Sequence, residues 1–149
     1  MSHVNMLYHI VLRTKYSIMA INEEHETELY AYMMGIIQRK NGAVYRIGGM
    51  PDHVHILTSI HHTLAVSEFI KVFKGETSKW MKESGKFPEF VGWGKGYAAF
   101  SYNIRDKHII CQYIANQKAH HKRIRFEDEY IAFLKENGMD PDLDLIFKD

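Results

Sequence analysis

One cysteine, Cys111, stands in 149 residues, so no internal disulfide can form and the fold must rest on buried apolar surface. Cysteine usage of this kind suits a reducing compartment, and the cytoplasm is the expected location. Prolines are scarce as well: Pro51, Pro88 and Pro141 leave long stretches open to regular structure. No apolar run approaches the roughly 18 residues that span a bilayer, and the start does not pair a basic end with a signal-like apolar core. Charge of one sign is not in excess, the net value being +1. A nucleic-acid partner would therefore be held by a local basic surface, not by long-range steering. Repeats and low-complexity segments are absent too. What is present is 46% hydrophobic and 25% charged residues, the balance of one globular domain over residues 1–149.

Residues 7–13 are rich in β-formers and read as a first strand. Asn22 can cap a helix in which Glu23 and Glu24 suit the positive end, with Leu29, Met33, Ile36 and Ile37 at helical spacing and Asn41-Gly42 as its stop. Two strands, 43–48 and 53–60, flank the turn-rich Gly49-Met50-Pro51-Asp52 and predict a hairpin. Ser67 can cap a second helix through Phe69, Ile70, Phe73 and Thr77 to about Met81, its lysines solvated. An irregular loop over 84–96 and a strand over 97–102 follow. Asn103 or Asp106 then opens a helix whose stripe is Ile109, Ile110, Tyr113, Ile114 and Gln117, continuing toward His121. A last amphipathic helix covers 126–137, and the tail after Gly138 reads as loosely ordered. Strand, helix, strand, strand, helix, strand is the order of an α+β ferredoxin-like (RRM-like) sandwich: an antiparallel sheet with helices on one face, here with additional C-terminal helices. Such a fold assigns no activity by itself.

The chemistry concentrates in Pro51-Asp52-His53-Val54-His55-Ile56-Leu57. Alternate residues of a strand point the same way, so His53 and His55 share one face while Val54 and Ile56 turn to the core. Two imidazoles converging beside a sheet suit a metal ion. Ten histidines in the chain make such a pair common by chance, so a partner feature is needed. Tyr113 and Gln117 supply one, because a spacing of four on a helix stacks two side chains on one face. Set against the histidine face, they bring a phenol and an amide oxygen to two imidazoles, an open three-ligand site with a nucleophile beside it. No base for the phenol is evident. His120 and His121, just beyond Gln117, read as solvent-facing residues at a helix end and fall outside the site.

These segments, together with Tyr8-His9-Ile10-Val11-Leu12-Arg13-Thr14-Lys15-Tyr16, Trp93-Gly94-Lys95-Gly96-Tyr97-Ala98-Ala99-Phe100-Ser101 and Tyr113-Ile114-Ala115-Asn116-Gln117, give a sequence that resembles the HUH-type single-tyrosine transposases of small insertion sequences. The resemblance implies that Tyr113 forms a 5′-phosphotyrosine with single-stranded DNA. It implies that His53, His55 and Gln117 hold Mg2+ or Mn2+, and imidazoles favour manganese at least as well. It further implies recognition of DNA hairpins and a homodimer with composite active sites, the tyrosine helix of one subunit docking on the histidine pair of the other. For DNA contact the chain offers Arg13, Lys15, Lys74, Lys95, Arg105, Lys118 and Arg123 to phosphates, and Trp93 to an unpaired base. Two other readings stand beside it: a domesticated endonuclease that processes repeated hairpins, and a non-catalytic single-strand-binding module. The second lacks the aromatic signature of RNA-binding sheets and has no need of Tyr113, Gln117 and the histidine pair together.

Overall fold

Alternation along the central strands sorts two sheet faces, and each face meets different helices. The computed structural model describes residues 2–141. Strands β1 (Leu7–Arg13), β2 (Val44–Met50), β3 (His53–Ser59) and β4 (Ala98–Tyr102) form one antiparallel sheet in the order β2-β3-β1-β4. On the first face Ile10, Leu12, Val54 and Ile56 pack with Leu29, Met33, Ile36 and Ile37 of α1 (Glu26–Arg39) and with Phe69, Ile70 and Phe73 of α2 (Val66–Ser84). Fully buried side chains of this size each contribute roughly 1.5–3 kcal/mol, so this layer is the main source of stability.

The helices are not confined to that face. Three further helices, α3 (Lys107–Ala115), α4 (Gln117–His120) and α5 (Phe126–Glu136), cover the other side, where Leu7 and Leu57 meet Ile114, and Val11, Ala98 and Phe100 meet Phe126. Both faces are thereby buried, and β3 is buried from His53 through Thr58.

Several element ends differ from the sequence expectation for local reasons. Asn22 accepts the backbone N–H of His25 at 2.9 Å in a turn, and the first helix begins only at Glu26. The second begins at Val66, one residue before Ser67, with Ala65 at its cap. The helix expected to run on to His121 breaks at Asn116, separating α3 from α4. The tail after Gly138 falls largely outside the described residues.

Two contacts set the sheet for its function. The hairpin tip is tied down by the segment after β1: Thr14 donates its N–H to the Asp52 carbonyl at 2.9 Å, and Ala20 and Ile21 donate to the Pro51 carbonyl at 3.0 and 2.9 Å. Gly48 on β2 lets α3 come close, since a Cβ there would sit 2.7 Å from the Ile114 carbonyl oxygen. No helix among the described residues is long and apolar enough to cross a membrane.

Candidate active site

Register places the histidines before any ligand is considered. In the β1–β3 ladder His53 lies opposite Arg13 and His55 opposite Val11, so both imidazoles rise on the face that α3–α5 cover. His53, His55 and His9 are each 0% exposed. Phe126 at the start of α5 stacks on His53 with ring centroids 4.0 Å apart, fixing the ring plane. The outer nitrogen of His53, Nδ1, lies 2.7 Å from Asp52 Oδ1. This is the arrangement in which a carboxylate orients an imidazole and leaves its other nitrogen as a lone-pair donor.

Tyr113 and Gln117 reach the same place despite the break at Asn116. Gln117 Oε1 is 3.0 Å from His53 Nε2, while its amide nitrogen donates to Glu129 Oε2 at 3.1 Å. The Tyr113 hydroxyl donates to that same Oε2 and lies 3.3 Å from His120 Nε2. Tyr113, Gln117, His53 and His55 are therefore brought together within one chain. A groove of about 710 Å3 between α3 and α5, lined among others by Ile109, Tyr113, His120, Arg123 and Phe133, opens onto the phenol.

Four residues that the sequence reading leaves outside the site complete the cluster. Glu129 of α5, 4% exposed, sets its Oε1 2.9 Å from His55 Nε2. His121 sets its Nε2 3.1 Å from Glu129 Oε2, and His120 sets its own 3.2 Å away. The expectation that this histidine pair faces solvent is corrected here: α4 ends at His120, and the chain turns so that both rings face Glu129. His9 on β1 is the fourth, its Nε2 2.8 Å from His55 Nδ1. His9 carried a detectable signal, since on β1 it alternates in phase with Val11, inside a strand otherwise apolar from Leu7 to Leu12 except for Tyr8. Glu129 carried none, because an acid in the first turn of a helix usually serves the helix dipole.

The electrostatics follow from burial and from this carboxylate. Burial, and then the neighbouring His55, push His9 down to about 3. Burial likewise pushes His55 down to about 4, against the pull of Glu129. For His121 burial acts downward, yet the Glu129 contact outweighs it and the imidazole sits above its ordinary value. Burial would raise Glu129, but its close contacts with His121 and His55 outweigh it and hold the carboxyl well below the usual range. Burial and then Glu129 raise the Tyr113 phenol far above its ordinary value, so at neutral pH it stays protonated.

The donors fit a divalent cation. His53, His55, His121 and Glu129 each offer one ligand atom, all within 4.8 Å of one another. Imidazole nitrogen, carboxylate and amide oxygen together make a nitrogen-rich set of the kind that takes manganese or zinc-like ions.

The proposed DNA-contacting residues are spread unevenly. Lys95, Arg105 and Arg123 are exposed and Lys15 is half-buried. Arg13 is buried at the end of β1, beside the His53 position. Lys74 donates to the Gly94 and Gly96 carbonyls, pinning the loop before β4. Lys118 bonds Glu26 at 2.9 Å and so ties α4 to α1. Trp93 donates its indole N–H to Thr77 at 2.9 Å and packs edge-on to Phe90.

The chain is similar to known proteins. The family profile described as "Transposase IS200 like" matches residues 2–117. The transposases for insertion sequence element IS200 of Salmonella typhimurium (strain LT2) and Salmonella typhi are each 28% identical over 98 residues, 62% of this chain and 64% of theirs. The match thus spans a little under two thirds of those relatives' length. Among solved structures, a candidate transposase of Deinococcus radiodurans superposes with a TM-score of 0.61 at 25% identity, covering 78% of this chain and 95% of that one. A REP-associated tyrosine transposase bound to a REP hairpin superposes with a TM-score of 0.57 at 12% identity, over 95% of this chain and 89% of that one, which shows a shared fold. The matched segment takes in His53, His55, Tyr113 and Gln117 and stops short of His121 and Glu129; from its length and from the sheet and helices it spans, the chain belongs to the IS200-like transposase family.

Proposed function

We propose that this protein cleaves and rejoins single-stranded DNA at hairpin-bearing element ends, with Tyr113 as nucleophile. One observation carries the reading: the Tyr113 hydroxyl and the inward atoms of His53, His55 and Gln117 meet around a single buried carboxylate, Glu129. In the cleavage step the phenol oxygen bonds to phosphorus and the phosphorus–3′-oxygen bond breaks. The phenol gives up its proton to water, the bonding electrons leave with the 3′-oxygen, which takes a proton from water in turn, and the 5′-phosphate stays on Tyr113. In rejoining, a 3′-hydroxyl attacks that phosphotyrosine and the phenol is restored. Mg2+ or Mn2+ held by His53, His55 and Gln117 would neutralise charge developing on the phosphate. Asp52 and Phe126 keep the His53 ring in place, and the groove beside α3 offers a path for a single strand to the phenol.

For hairpin DNA we assign phosphate contacts to Arg13, Lys15, Lys74, Lys95, Arg105, Lys118 and Arg123 and base stacking to Trp93. Of these, Lys95, Arg105 and Arg123 are the most accessible. Homodimers with composite sites belong to the same proposal. A second reading, a hairpin-processing endonuclease acting as a monomer, is favoured by the site being complete within one chain. The deciding experiment is incubation with labelled single-stranded DNA carrying the hairpins that flank the gene, with Mn2+ added. A covalent DNA–protein product whose linkage maps to Tyr113 is expected, and a product linked elsewhere, or none with any flanking hairpin, overturns the reading. Sedimentation separates dimer from monomer.

A further inference from the structure

Resting on the metal-assisted reading above, we infer that Glu129 and His121 are themselves ligands of the metal ion, so that α5 and the turn before it form part of the metal centre beside His53, His55 and Gln117. Both residues lie beyond the segment that matches the family.

Hydrogen-bond accounting points to a cation site. His121 Nδ1 is 2.7 Å from the Ile124 carbonyl oxygen, which can only accept, so Nδ1 carries a proton and, in the neutral ring, Nε2 presents a lone pair inward. That Nε2 is buried without a hydrogen-bond partner although Glu129 Oε2 is 3.1 Å away. His53 repeats the pattern. Its Nδ1 faces the Asp52 carboxylate, and its Nε2 therefore turns a lone pair toward Gln117 Oε1 at 3.0 Å and Glu129 Oε1 at 3.5 Å. Buried acceptors aimed at one another repel unless a proton or a cation lies between them.

Distances agree. Donors bound to one ion at roughly 2.1–2.3 Å lie about 3 Å apart when adjacent and about 4.4 Å apart when opposite. His55 Nε2 to Glu129 Oε1 is 2.9 Å, and the four ligand atoms all fall within 4.8 Å. Three imidazoles with one carboxylate exceed the nitrogen content that magnesium tolerates and select a transition-metal ion such as Mn2+. The carboxylate also brings a negative charge that the set of His53, His55 and Gln117 lacks. A structural consequence follows: ion binding clamps α5 to the sheet, and removing the ion loosens α5 more than α1 or α2.

Mn2+ alone is the probe, added to the full chain and followed by the electron paramagnetic resonance signal of the free ion. Glu129→Gln and His121→Ala are each expected to weaken Mn2+ binding about tenfold or more, at least as much as loss of a supporting partner does in known sites. Pulsed measurements on the bound ion should count three imidazole nitrogens in the wild type and two in His121→Ala, which stays informative even if Glu129→Gln is poorly folded. Unchanged affinity in both variants with only two imidazoles counted overturns the inference. Tighter binding in Glu129→Gln also overturns it, since the carboxylate would then be keeping the ion out. His53→Ala separates the two levels: if it too binds Mn2+ as well as wild type, the shared metal site fails, whereas its loss of binding with normal Glu129 and His121 variants sinks only the assignment made here.

Discussion

Replacing Gly48 by alanine should slow DNA cleavage although the residue touches neither metal donors nor phenol. The added Cβ would lie 2.7 Å from the Ile114 carbonyl oxygen and 2.9 Å from Ile114 Cγ2. The oxygen belongs to the helix backbone, so a side-chain rotation cannot relieve the clash, and α3 must lift by about 0.7 Å to restore ordinary contact. Tyr113 is the preceding residue and rides with it. A displacement near 1 Å in a reacting group can cost about a hundredfold, so formation of the covalent product about twentyfold slower is expected for a shift of about 0.7 Å. Overpacking costs about 1–3 kcal/mol, offset by up to about 1 kcal/mol of lost freedom in the unfolded chain, so melting should fall by a few degrees without loss of the fold. Gly75 is the control: a Cβ there meets nothing within 4 Å, and alanine on this helix should stabilise by about 0.5–1 kcal/mol with the rate unchanged. The readout is single-turnover accumulation of DNA-linked protein on a denaturing gel, beside a thermal melt. A Gly48→Ala protein with wild-type rate and melting temperature would refute the close docking of α3 on β2.

Other expectations are more direct. Tyr113→Phe should lose the covalent product entirely while lowering stability by only about 1–2 kcal/mol, since Glu129 keeps His55, Gln117 and His121 around it; product formed at wild-type level would remove Tyr113 as nucleophile. Mixing Tyr113→Phe with His53→Ala subunits should recover cleavage if the tyrosine helix works across a dimer, and no recovery would assign the site to one chain. In chelator the stability of the metal-free protein should peak near pH 6.5. Below that, the unfolded chain protonates His9 and His55 while the folded chain holds them at about 3 and about 4, so stability falls as pH falls, by up to about 3 kcal/mol per pH unit. The Glu129 carboxyl, held low, adds to the loss once pH passes below its unfolded value. His121 has a raised value, so its contribution is present below pH 6.5 and is lost as pH rises through it. Urea midpoints that do not decline between about pH 6.5 and about pH 5 would contradict the burial of these neutral imidazoles.

Much of the architecture was legible because it rests on local patterns. β1 is placed at residues 7–13 by β-forming content, and the hairpin by the turn-rich Gly49-Met50-Pro51-Asp52, although β2 runs on through Gly49 and Met50, which pairs with His53. The apolar stripe of α1, Leu29, Met33, Ile36 and Ile37, is buried as its spacing predicted. Helix starts were less legible at Asn22 and Ser67, where a competent capping side chain lies near a helix that begins elsewhere. The break at Asn116 also escaped, since the apolar stripe from Ile109 to Gln117 continues across it.

From its residues alone the chain determined that two imidazoles share one strand face and that a phenol and an amide share one helix face, because side-chain direction is set by the two-residue and near-four-residue repeats of the backbone. Only the tertiary structure decided what those faces meet. Glu129, sixteen residues past Tyr113 and seventy-four past His55, enters the site because Phe126 packs on His53 and turns the first turn of α5 inward. His121 and His9 arrive by equally non-local routes, one through the turn after α4 and one across the β1–β3 ladder. No repeat in the sequence encodes such contacts, for they follow from the packing of whole elements rather than from the spacing of residues within one.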